Sequence, residues 1–152
     1  MGVPYDLLPL LEIDEAKVLF AIHSFTHDDL NDSRMDGGFM GSLRPYRGKL
    51  NHEAFHEVFA CSKSLGPTLS EANTVDRQVI RDLWGICHWA REWATRPDGM
   101  LGRNELISDD GVATLTEWIE CISYATTMFL DNPDPSNAFA LYEDYVAARN
   151  GG

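Results

Sequence analysis

Residues 51–57 read NHEAFHE, in which His52, Glu53 and His56 spell H-E-x-x-H. Zinc peptidases use that spacing because two imidazoles one helical turn apart can share a metal, while the glutamate between them polarises the attacking water. On a helical wheel the two histidines fall about 40° apart and flank the stripe formed by Phe55, Val58 and Phe59. A metal could be held at that edge. Catalysis has less support: the motif opens directly after Asn51, the expected helix cap, so no preceding turn buries it. No downstream helix shows the E-x-x-x-D or H-x-x-G-x-x-H pattern that would supply a third ligand.

His23 and His27, in HSFTHDD, repeat the i, i+4 spacing beside Phe20. Two such pairs on consecutive helices can converge on one ion, as facing helices do in bundle cores. His23, His27, His52 and His56 are thus the candidate ligands of an alternative reading, a zinc-binding helical bundle acting as a hydrolase. The plainer reading places histidines at the boundary of two amphipathic helices and needs no cofactor.

Other chemistry is weaker. The stretch DGGFMGSLRPYRGK lacks the G-K-[ST] ending of a phosphate loop, and its Arg44, Arg47 and Lys49 are expected to partner the chain's own carboxylates. Cys87 directly precedes His88, but adjacent helical residues point about 100° apart and cannot act as nucleophile and base. The three cysteines, Cys61, Cys87 and Cys121, show no C-x-x-C pair, and reduced thiols of a cytoplasmic protein account for them.

The elements that must position these residues read as helices. Val18, Leu19, Ile22 and Phe25 follow helical spacing from Ala16 to Phe25, with Asp14 as cap. A second helix is expected from Asn51 to Ser64, ended by Gly66-Pro67. A third, over 74–95, has an apolar arc wide enough to include Trp84 and Trp93. Trp89 lies at the margin of that arc, and His88 falls on the polar side with Arg81 and Glu92 as expected surface ion-pair partners. A fourth starts at Ser108, buries Val112, Leu115, Trp118, Ile119, Ile122 and Phe129, and stops at Asn132-Pro133. A fifth covers 135–148 with Phe139, Leu141, Tyr142 and Tyr145 inward, before a frayed tail.

No segment alternates long enough to insist on a strand. The expected fold is all-α, one domain over 1–152, a bundle of about five helices with one long irregular loop at about 29–50. No apolar run approaches the roughly 20 residues of a bilayer crossing.

Charge narrows function further. Twenty-four acidic against 12 basic residues give a net charge of -12 and a pI near 4.6. That field repels nucleic-acid phosphate and anionic membrane and speeds encounter with a basic protein surface. The candidate contact residues are Asp28, Asp29 and Asp32, which follow the first helix; Asp109 and Asp110, at the start of the fourth; and Trp89 as an exposed aromatic. The leading expectation is a cytoplasmic helical domain that binds and occludes another protein, as immunity-type inhibitors of toxins or nucleases do.

Overall fold

The computed structural model describes residues 4–70, 74–131 and 137–150, and among these there is no strand, only an isolated bridge between Leu43 and Tyr46. Helices α1 (Pro4–Leu7), α2 (Ile13–Ser24), α3 (Phe39–Leu43), α4 (His52–Ser70), α5 (Arg77–Ala90), α6 (Met100–Arg103), α7 (Asp109–Asp131) and α8 (Ala140–Asn150) follow one another, with a 3-10 turn at Met35–Gly37 and a π turn at Arg91–Thr95. The four long ones hold the core: α2 packs on α4 and α5, α7 packs on α4 and α5 from the other side, and α8 closes over α7. Phe20, Ile22, Phe55, Phe59, Leu83, Ile86, Leu115, Trp118 and Phe129 meet in that core. No described helix is long and apolar enough to cross a membrane.

The first helix begins earlier than its spacing suggests, because Asp14 and Glu15 sit in its first turn and Glu12 takes the cap position. Phe25 is not part of its inward stripe. The ring is largely exposed, on a residue with φ 66° that ends the helix: the Phe25 N–H donates to the Ile22 carbonyl and the Thr26 N–H to the Ala21 carbonyl. This left-handed closure turns the chain sharply into the segment 25–32.

Gly66-Pro67 does not end the second long helix, which runs on to Ser70. Proline removes one helical N–H, yet Leu65 and Leu69 are both buried, and their burial favours another helical turn over an early exit. Gly66 is there for closeness rather than for breaking: a methyl at this position would collide with the buried ring of Phe129 on α7. Gly66→Ala is therefore expected to lower stability by about 1–3 kcal/mol. An unchanged urea midpoint would show that the ring moves aside freely.

The stretch expected as an irregular loop at 29–50 is largely a core element. Met35, Phe39, Met40 and Leu43 are buried, and the Phe39 N–H is anchored on His23. Its glycines permit backbone contact: a side chain at Gly41 would strike the Met35 carbonyl, and one at Gly38 would come within 2.9 Å of the Ile22 carbonyl oxygen.

Helix α5 starts at Arg77, with the Asp76 side chain accepting from the Gln78 and Val79 N–H groups. Its buried arc is Val79, Asp82, Leu83, Ile86, Cys87 and Ala90. Trp84 was expected inside that arc and instead points to solvent, 70% exposed. Trp93 is half-buried, its indole N–H donating to the Leu43 carbonyl at 2.8 Å. On the last helix Leu141 is likewise partly exposed, while Phe139, Tyr142 and Tyr145 are buried as expected. Arg149 and Asn150 remain helical rather than frayed. The expected stop at Asn132-Pro133, the start of the last helix at Pro135 and the final glycines lie outside the described residues.

Candidate functional site

The four histidines are engaged separately. His23 is buried on α2; its Nδ1 accepts the Phe39 N–H at 3.0 Å, which leaves Nε2–H to donate to the Glu57 carboxylate at 2.8 Å. His27 Nε2 meets Asp32 at 3.2 Å, His56 Nδ1 meets the Tyr142 hydroxyl at 2.8 Å, and the His52 ring stands edge-on to Trp118 at 4.9 Å. Helices α2 and α4 do pack together, as convergence requires. The residue α4 offers to His23, however, is Glu57, one position past His56 and so turned about 100° away from it. Glu53, the would-be catalytic base, is at the surface. Among the described residues no group of three or more His, Cys, Asp or Glu could hold a metal ion.

These contacts make stability depend on pH. Burial, aided by the nearby His52, pushes His56 below the ordinary imidazole value of 6.5. The unfolded chain then takes up a proton that the folded chain resists, so stability falls as pH drops through and below that value. Glu57 is held below its ordinary 4.5 chiefly by the His23 hydrogen bond, and its contribution is lost lower still. The thermal midpoint is expected to decline between about pH 7 and about pH 5, with a flatter profile in His56→Gln. Equal slopes in the two proteins would exclude His56 as the source.

The cysteines are free and buried, and burial raises all three thiols, Cys87 to about 11 and Cys121 to about 12. They are core residues without thiolate chemistry.

Of the acidic residues expected to reach a partner, Asp32 is not free. It accepts from the Arg34 guanidinium at 2.8 and 3.1 Å, from the Arg34 N–H at 3.0 Å and from His27. The Arg34 bonds hold its carboxyl well below the usual range. An arginine two residues on captured it first. Asp29 accepts the Asn31 N–H at 2.9 Å yet stays exposed, and so does Asp28. Asp109 and Asp110 are exposed in the first turn of α7, where they favour the helix dipole, and Ser108 Oγ accepts the Gly111 N–H.

Asp82, which sequence reasoning passed over, organises the surface. It is fully buried on α5, and its Oδ1 accepts from Ser24 Oγ at 3.0 Å, Thr26 Oγ1 at 2.9 Å and Arg81 Nε at 2.9 Å. Arg81 also donates to Thr26 at 3.1 Å. These bonds pin Ser24 and Thr26 against α5, and the exposed residues Asp28, Asp29 and Leu30 follow on the chain that leaves Thr26. The signal was available: a carboxylate standing between Val79, Leu83 and Ile86 on the wheel needs partners of its own.

Next to this corner α5 shows solvent two tryptophans, Trp84 at 70% and Trp89 at 56% exposure. Trp89 lies over Gly85 and edge-on to the His88 ring at 4.7 Å. His88 is solvated as expected, but Arg81 pairs with Asp82 and Glu92 with Arg96, in place of ion pairs with each other or with His88. Both tryptophan rings are carried outward by a helix whose other side is in the core. No protein-family model, curated protein or solved structure matches this chain.

Proposed function

We propose that this chain is a protein-binding domain that occludes a partner carrying a basic surface, in the manner of an immunity-type inhibitor. The observation that carries this reading is Trp84, a tryptophan turned to solvent from a helix of the core, with Trp89 on the same helix and the pinned corner beside it. Tryptophan is the residue most enriched among those that dominate binding energy, and a rigid helix presents it at low entropic cost. The net charge of -12, with Asp28, Asp29, Asp109 and Asp110 exposed, speeds encounter with a basic partner.

The test is capture of a partner by the native chain and by a Trp84→Ala/Trp89→Ala variant. Both indoles are largely exposed, so the variant is expected to unfold within about 0.5 kcal/mol of the parent and to lose the partner. A folded variant that still captures it would sink the reading. With the partner in hand, Asp28→Asn/Asp29→Asn should slow association more than it speeds dissociation, and added salt should do the same to the parent.

A further inference from the structure

Relative to Trp84, residues Arg77, Arg81, His88 and Arg91 stand at i−7, i−3, i+4 and i+7, which on a helix is a single strip. All five are exposed. The acids nearest in sequence are occupied elsewhere: Asp76 pairs with Lys17, Asp82 lies buried beneath Arg81, and Glu92 pairs with Arg96. Arg77 and Arg91, at the two ends of the strip, enter no ion pair among the described residues. A chain with twice as many acidic as basic residues has thus gathered cations around its most exposed tryptophan.

The geometry points to an acidic amphipathic segment of the partner lying along α5, with an apolar side chain on Trp84 and carboxylates at Arg77 and Arg91, which a helical rise sets roughly 20 Å apart. This deepens the reading above and rests on it. A partner that is basic overall supplies the long-range attraction, and its acidic segment, set against Arg77 and Arg91, fixes the orientation in which it docks. A second copy of this chain does not suit the strip, because pairing α5 with itself about a twofold axis sets arginines against arginines.

The probes are two synthetic helical peptides with the same leucines on one face, one carrying glutamates at both ends and the other lysines, added to the isotope-labelled full chain. The glutamate peptide is expected to shift amide resonances within 77–91 and to bind there at least about fivefold more tightly than the lysine peptide, the size that two exposed charge pairs support. In Arg77→Glu/Arg91→Glu, both surface changes, that order should reverse. Equal or tighter binding of the lysine peptide at 77–91 would overturn the inference. So would a charge reversal that leaves the glutamate peptide's affinity within about twofold, or no shift at 77–91 with either peptide. Duplex DNA or phosphatidylserine vesicles that shift the same resonances as strongly would also overturn it, by making the strip a general anion site. Retention of the partner by the double tryptophan variant is a separate outcome, which fails the reading of function whatever sign the peptides favour.

Discussion

Trp118→Ala is expected to destabilise the chain by about 3 to 5 kcal/mol, the largest effect of any single tryptophan. The side chain is 2% exposed and stacks on Phe55 with ring centroids 4.7 Å apart and planes within 5°. Its indole N–H donates to the Tyr145 hydroxyl at 2.8 Å, a buried bond joining α7 to α8. Truncation opens a cavity between α4, α7 and α8 and leaves the Tyr145 hydroxyl without its donor, and the two losses add. Trp84→Ala, by contrast, removes a ring that is already in water and should stay within about 0.5 kcal/mol of the parent. Urea unfolding of the two variants reads both at once. A Trp118→Ala midpoint close to that of the parent, or a Trp84→Ala midpoint well below it, would contradict these environments.

The contrast between these two tryptophans marks where sequence reasoning works and where it stops. On α7 the apolar residues Val112, Leu115, Trp118, Ile119, Ile122 and Phe129 trace one stripe, and the structure buries all of them except Val112, which is partly exposed in the first turn. On α5 the apolar residues spread over so wide an arc that burial of the whole arc was the natural inference. Most of it does face the core, with Val79, Leu83, Ile86, Cys87, Ala90 and Ala94 buried and Ile80 and Trp93 partly so, but Trp84 sits one residue beyond Leu83, on the wrong side of the edge. Periodicity locates the centre of a buried face well and its margin poorly, because at the margin a tryptophan is sorted by what packs opposite it.

The same limit explains the loop and the metal site. Glycine marks both flexible turns and close backbone contacts, and nothing local separates them; at Gly38 and Gly41 the contacts come from Ile22 and Met35. The histidine pairs share a helix face, as their spacing requires, yet whether two faces converge depends on the rotation of one helix against the other. A shift of one residue along α4 gives His23 the carboxylate of Glu57 in place of an imidazole. Of the acidic residues, Asp28, Asp29, Asp109 and Asp110 are exposed as their positions in the sequence suggest. Asp32 is not free, since Arg34 was close enough in sequence to bind it.

Asp82→Ala is expected to cost about 2 to 4 kcal/mol and to loosen the corner that leads to the acidic residues. Two effects compete at this carboxylate. It accepts three hydrogen bonds, one of them from a guanidinium, which argues for a large loss on removal. Against that, Asp82 is wholly buried and its Oδ2 has no hydrogen-bond partner among the described residues, so part of the charge's desolvation is uncompensated. Arg81 decides the balance less than the hydroxyls do, because it is half-exposed and can return to water, whereas Ser24 is buried and Thr26 is tied to the same oxygen. Asp82→Asn keeps an acceptor for both hydroxyls and should therefore lose less than Asp82→Ala. The local consequence is separable from the global one: with Thr26 released from α5, amide exchange at residues 26–32 should accelerate more than exchange in the centre of α7. If Asp82→Ala matched the parent both in urea midpoint and in exchange at that corner, the buried carboxylate would be neutral in the energetics, and the path of the chain after Thr26 would have to come from the left-handed closure at Phe25 alone.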